Sequence, residues 1–282
     1  MRRNGIVIGV VGMILASFPL LNAGAASKAA EPLTRAEVVK IVRQEVQRAF
    51  NLRDWHHYAG RIDEYKGADA AALFSLSALD RSTAIGDAKS PVRVIVYADY
   101  ECPFCKQFEI RTAPALHRKF RSHALFVYRF YPLRMHGELA RTESIAGACV
   151  ARLAGPDAFR RFNSTVYAKT GSNGRGTGES LTKLAREAIL GGKTIDDPQS
   201  LDTLYKRCTQ AKDADALIAA HLNFKGVNGT PTIFVANIEQ QRAWRVAGSL
   251  PVWVFGAMIT NVAAGRAGNS DWAVEQYGRE FP

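Results

Sequence analysis

Cys102 and Cys105 stand three residues apart, and thiols at that spacing on the first turn of a helix close a small disulfide ring. Backbone N–H groups left free at a helix start favour a thiolate over a thiol. Pro103 between them suits an early helical position, which needs no N–H. The other reading is half of a structural zinc site. That needs a second ligand pair, whereas Cys149 and Cys208 stand alone and neither has a His at finger spacing. Exchange requires an accessible attacking thiolate and a second thiol to resolve the mixed disulfide. Cys102, at the very start of the helix where sulfur can face solvent, suits the first role, and Cys105, one turn in and shielded, the second. Glu101 should oppose a thiolate on Cys102, and Lys106 should favour it.

The elements that must position this pair follow from the apolar pattern. Residues 92–98 form a β-branched run expected as a central strand, and 102–120 a helix interrupted near Pro114. Residues 124–131 then supply a second, parallel strand across a right-handed crossover. From 135 to 226 the pattern is helical, over 137–153, 157–169, 180–190, 200–208 and 213–224, with breaks at Gly155-Pro156, the glycine-rich 171–178 and Gly191-Gly192. The glycine-rich stretch has no preceding strand and no Gly-Lys-Ser/Thr end, so it reads as a flexible loop rather than a phosphate cradle. Strands resume at 232–237 and 243–247, 252–262 is a packing helix, and 266–282 reads as a loosely attached tail. Upstream, Thr34 and Glu37 form a capping box that opens a helix to about Phe50. Its stripe of Val39, Val42, Val46 and Phe50 would dock on its own domain or self-associate. Residues 51–80 carry no motif and read as connector, within which 70–79 could form a short helix or strand.

At 282 residues and 47% hydrophobic, the chain can bury a full core. Its long apolar run, residues 5–21, follows Arg2-Arg3 and precedes Ala23-Gly24-Ala25, the three-part layout of a secretory signal over residues 1–25. The alternative is an uncleaved anchor, but the run is shorter than the ~20 residues that span a bilayer and contains Pro19. Export would place all four cysteines in an oxidising compartment. The formal charge of +11 loses two units with Arg2 and Arg3. Its remaining Lys and Arg are scattered, densest at 117–121, which argues for solvated surface and against nucleic acid.

The run VIVYADYECPFCKQFE at 94–109, followed by GVNGTPTIFV at 226–235, resembles the DsbA-like branch of the thioredoxin superfamily, and the resemblance covers about residues 82–265. It implies an α/β architecture: a thioredoxin fold with an inserted α-helical domain, preceded by an N-terminal helix. The divisions would be a signal at 1–25, helix and connector at 26–83, thioredoxin-like parts at 84–134 and 227–265 around an insertion at 135–226, and a tail at 266–282. Residues 84–91 look like the family's lead-in to its first core strand. The resemblance also implies that Thr230-Pro231 is cis and faces the cysteines, so that Pro103, Phe104, Thr230 and Pro231 would meet an extended substrate by strand addition. Glu109 matches an acid position in the family helix and could relay the proton of Cys105, with surface solvation the alternative, while Asp99 carries less weight for that role. His136 reads as a loop residue after the second strand. Pro103-Phe104 departs from the familiar Pro-His pair, so a cationic imidazole is missing. With Cys102 and Cys105 committed to each other, an exported chain leaves Cys149 and Cys208 for a structural disulfide, which some DsbA relatives also carry; the alternative is two buried free thiols.

The implied activity is oxidation of exported, cysteine-containing proteins, without cofactor or metal, with reoxidation by a DsbB-type membrane partner. Two alternatives stay open. One is a dimeric isomerase or reductase of DsbC/DsbG type, kept reduced by a DsbD-type partner, and the other a metal-handling or assembly chaperone that uses the thiols for binding.

Overall fold

The computed structural model describes residues 34–67, 70–194, 196–212 and 214–280. The expected signal at 1–25 lies outside them. The chain divides into two compact units, Met1–Arg43 and Gln44–Pro282. In the first, the capping box forms: Thr34 N donates to Glu37 Oε2 at 2.8 Å, and Glu37 N donates back to Thr34 Oγ1 at 3.3 Å.

α1 runs Arg35–Ala59, nine residues past the expected end, because its later part has tertiary partners. Trp55 is buried and its Nε1 donates to Asp271 Oδ1 at 3.0 Å. The supposed connector therefore holds structure. After α1 come β1 (Ile62–Glu64), a 3-10 turn (Ala70–Leu73), α2 (Ala78–Ser82) and β2 (Ala84–Gly86). β1 pairs antiparallel with β6 and β2 antiparallel with β4, so both are edge strands of the sheet. At three residues each, neither strand shows a readable period.

The core of the sheet is β3 (Val92–Ala98), with all seven residues buried. It pairs in parallel with β4 (Leu125–Phe130) and antiparallel with β5 (Thr232–Asn237), which pairs with β6 (Arg242–Ala247). The order is β1-β6-β5-β3-β4-β2. Alternation sends Val94, Val96, Phe126, Tyr128, Ile233 and Val235 to one core, and Ile95, Tyr97, Leu125, Val127 and Phe234 to the other. A continuous apolar run is what a strand covered on both faces requires.

Between β3 and β4 lie α3 (Pro103–Gln107), a π-turn (Phe108–Thr112) and α4 (Ala113–Phe120), so the interruption expected at Pro114 falls just before it. The insertion consists of α5 (Gly137–Lys169), α6 (Leu181–Leu190), α7 (Pro198–Thr209) and α8 (Ala216–Leu222). The two helices expected over 137–169 are joined end to end across a kink at Gly155, whose φ of 75° and ψ of −170° are non-helical. α9 (Val252–Ala263) packs on the sheet and is followed by α10 (Trp272–Tyr277). The tail expected to hang loosely is docked instead: Ala273 and Val274 are buried, and Ala273 N donates to Asn261 Oδ1 at 3.0 Å. Together these elements are a thioredoxin fold split by a helical insertion. No helix among the described residues is long and apolar enough to cross a membrane.

Cys149 of α5 is disulfide-bonded to Cys208 of α7, 59 residues on. A closed loop of that length lowers unfolded-chain entropy and stabilises the fold by roughly 4 kcal/mol in the chain-entropy model. Cys149→Ala should therefore lower the melting temperature of the oxidised protein. After mild reduction, thiol labelling in denaturant should find two free thiols in the wild type, and four readily labelled thiols would contradict this.

Candidate active site

β3 ends at Ala98, and the chain must turn at once to start α3. Asp99 drives the turn. Its fully buried carboxylate accepts from Glu101 N at 2.8 Å through Oδ1, and through Oδ2 from Leu133 N at 2.8 Å and His136 Nδ1 at 2.6 Å. By sequence Asp99 is the less favoured acid and His136 a mere loop residue, yet both are core groups that hold this turn. The readable signal is an Asp at a strand end, a residue type that accepts from the backbone two residues on.

Cys102 occupies the N-cap position of α3, with φ −80° and ψ 119°, and Pro103 follows as the first helical residue. Its sulfur does not face solvent as expected: Cys102 is 3% exposed and Cys105 1%. The flank is open, however, since Phe104 is 62% exposed. Opposite lies the Thr230-Pro231 peptide, which is cis. Register places it there, because Thr232 pairs with Tyr97 and the loop preceding β5 must lie beside the end of β3. The two cysteines are unbonded to each other, and Cys102 Sγ in its protonated form donates to Thr230 O at 3.2 Å, a bond that its thiolate does not make.

The two thiols are driven apart in acidity. A hydrogen bond from the Cys105 thiol is the largest influence on Cys102; with further donation from Thr230 and the N–H groups of Cys105 and Phe104, it outweighs burial and brings the pKa down to about 6. Burial, reinforced by Cys102, pushes the Cys105 thiol well above the usual range. Glu101 and Lys106 both engage the loop at 170–176. Glu101 is fully buried and its carboxylate accepts from Thr170 Oγ1 and Gly176 N, while the Lys106 ammonium donates to Thr170 O. Their partners belong to the glycine-rich 171–178 stretch and the residue before it. That stretch is therefore tied down, with Asn173 N donating to Glu101 O at 2.8 Å and Ser172 buried.

Glu109 sits on the π-turn, where Asn163 Nδ2 donates to its Oε2 at 3.0 Å and Oε1 is buried without a partner. Burial raises it to about 8, against a lowering by Tyr128 and Asn163. Tyr167 feels the charge of both Cys105 and Glu109, which places the acid in the same buried neighbourhood. A cavity of about 1080 Å³, lined also by His117, Arg160 and Asn163, reaches Glu109, and Cys102 is not part of its lining. Gly147 permits the close approach of α5, since a Cβ there would lie 2.7 Å from Tyr100 Oη. Cys149 and Cys208 form a separate, structural pair. Among the described residues no group of three or more His, Cys, Asp and Glu could hold a metal ion. Sequence reasoning also missed Glu143, a fully buried acid of α5.

A family model described as thioredoxin matches residues 78–244. Disulfide bond formation protein D of Bacillus subtilis (strain 168) is 27% identical over 156 residues, 54% of this chain and 66% of that protein, so the match spans just under two thirds of the curated relative. Among solved structures, Pseudomonas aeruginosa DsbA2 is 28% identical with a TM-score of 0.49, over 62% of this chain and 88% of that one. Wolbachia pipientis alpha-DsbA1 is 20% identical with a TM-score of 0.52, over 70% of this chain and 97% of that one, a likeness of fold.

Two outcomes are expected. Thiolate absorbance of the reduced protein should titrate with a midpoint near 6; Cys105→Ala should move it up towards 9, and Lys106→Met should leave it in place. Glu109 holds its proton to about 8 when folded, against 4.5 as the ordinary value, so the folded state binds the extra proton between these pH values. Stability should fall as pH rises through that window, and Glu109→Gln should flatten the fall in denaturant titrations.

Proposed function

Because this chain belongs to the thioredoxin family, we propose that it is a DsbA-like thiol-disulfide oxidoreductase, exported to the periplasm by a cleavable signal, whose Cys102–Cys105 disulfide is passed to exported proteins. The observation that carries this reading is the opposed acidity of the two sulfurs, with Cys102 brought to about 6 and Cys105 pushed up. A thiolate stabilised at Cys102 stabilises the reduced form, and a disulfide whose reduced form is stabilised is an oxidant.

The steps follow from that asymmetry. A substrate thiolate attacks Sγ of Cys102 and the bond to Cys105 breaks. Cys105 takes the electron pair and a proton, because burial disfavours its charge. Glu109, protonated below about 8 and reached by the 1080 Å³ cavity, is the group we assign to carry that proton between solvent and the interior. A second substrate thiolate then attacks the substrate sulfur, and Cys102 leaves as a thiolate of low pKa, which makes it a good leaving group. The substrate loses two electrons and the cysteine pair gains them. Exposed Phe104, with Pro103, Thr230 and Pro231, would receive the substrate as an extended strand. A DsbB-type membrane partner would restore the disulfide.

One observation favours a second reading, a self-associating isomerase or reductase of DsbC/DsbG type served by a DsbD-type reductant. Val38, Val39 and Val42 of α1 are 43–50% exposed, an apolar face that a second copy could cover. Two heptads are too few for an independent coiled coil.

The reduction potential of the Cys102–Cys105 pair separates the readings. The donor requires a value well above the roughly −270 mV of thioredoxin, and a value at or below it overturns the donor in favour of a reductant. Cys105→Ser should trap mixed disulfides with exported proteins; if Cys102→Ser traps them instead, the roles are reversed. Light scattering of the mature protein and of a variant with Val39→Glu and Val42→Glu on the exposed face decides self-association, and a monomer in both ends that reading.

A further inference from the structure

Glu143 of α5 is fully buried, and neither of its oxygens receives a hydrogen bond. Its carboxyl lies against the 170–176 loop, for a Cβ built on Gly176 would stand 3.8 Å from Glu143 Oε1. The same Gly176 gives its N–H to Glu101 Oε2 at 3.2 Å. A carboxylate in that position would have neither water nor a donor to hold its charge, so the neutral acid is the stable form. Burial first, then the charge and hydrogen bond of Glu101, raises Glu143 to about 8. The neutral acid carries one O–H, and Glu101 is the acceptor in reach.

We propose that Glu143 is a positioning residue for the redox pair: it shares its proton with the Glu101 carboxylate, and this acid–carboxylate pair fastens the 170–176 loop to the residue that precedes Cys102. The inference rests on the oxidoreductase reading for its effect on turnover. Four hydrogen bonds make the loop a clamp on the first turn of α3: Thr170 Oγ1 and Gly176 N donate to the Glu101 carboxylate, Asn173 N donates to Glu101 O, and Lys106 donates to Thr170 O. The groups facing Glu143 are Asp99, Tyr100 and Glu101 from the turn after β3, with His136 acting through Asp99. None of the three that face it directly is a cation. Loss of the shared proton puts two adjacent buried carboxylates beside a third, Asp99, and the repulsion is relieved by releasing the loop. The N–H groups of Phe104 and Cys105 then lose their fixed aim at the Cys102 sulfur. No bond to sulfur changes in this step, and the proton passes to solvent.

The test compares wild type with Glu143→Gln, whose amide donates to Glu101 at every pH. Turnover of a dithiol peptide by the oxidised protein is measured across pH, and the ratio of variant to wild type cancels ionisation of the peptide thiols. The ratio should stay flat between about pH 6 and 7 and rise roughly tenfold by about pH 9.5, as the wild type alone loses its clamp. In parallel, carboxyl carbon NMR of the wild type should show a glutamate resonance with a midpoint near 8 that is missing from Glu143→Gln. A flat ratio at all pH values overturns the positioning role, even if that resonance is found. A Glu143 resonance that titrates in the ordinary carboxylate range overturns the shared proton. If neither protein turns over the peptide at any pH, the oxidoreductase reading is what fails, and the NMR titration alone decides whether Glu143 and Glu101 share a proton.

Discussion

A buried thiol that donates to a neighbouring thiolate is the interaction on which the rest of the site depends. Cys105, 1% exposed, has no water to stabilise a charge, so its hydrogen stays on sulfur and is offered to Cys102. Cys102 gains that donor, the Thr230 hydroxyl and two helix N–H groups, which together outweigh its own burial. Two identical side chains three residues apart thereby take opposite protonation states. The missing histidine between them matters less than residue types suggest, because the leading stabilising groups come from the partner cysteine, the loop before β5 and the backbone rather than from a cation.

The same rule sorts the acids. Asp99 is buried and accepts three hydrogen bonds. Asp80 is buried too; desolvation would raise it, but His221 and the Arg129 guanidinium, at 3.3 and 3.1 Å, hold it well below the usual carboxylate range. Glu109 and Glu143 have one bonded oxygen and none, and both are pushed up to about 8. Removing one partner of the Asp80–Arg129 pair would leave a charge stranded in the core, which is why such pairs hold elements in place without being large net sources of stability. Here the pair ties α2 to β4, and His221, which accepts from Phe130 N at 3.1 Å, brings α8 to the same point.

The insertion has two jobs in this arrangement. α5 approaches the site closely enough at Gly147 to cover Tyr100 and carries Asn163 to Glu109 and Glu143 to Glu101. The loop after it grips both ends of the first turn of α3. The Cys149–Cys208 disulfide joins α5 to α7, so the helix that supports the acids is covalently tied to the rest of the insertion.

By itself the sequence determined the central strands, the helical insertion and the Cys102–Cys105 spacing with its likeness to a known family, and it favoured a bond between the remaining two cysteines over two buried thiols. Those features rest on local signals: a seven-residue apolar run, a fixed Cys spacing at a helix start, glycine and proline breaks, and an even cysteine count. Tertiary structure alone decided the rest. Three-residue edge strands at 62–64 and 84–86 are too short to show a period, and the docking of 272–277 depends on Asn261 of α9 and on Trp55, whose partner Asp271 lies 216 residues away in sequence. The direction in which Glu101 and Lys106 point, and the protonation of Glu109 and Glu143, depend on which partners the fold brings within hydrogen-bond reach. A residue type carries charge and size, but its pKa is set by burial and neighbours, and these exist only once helices from distant parts of the chain have packed against the turn after β3.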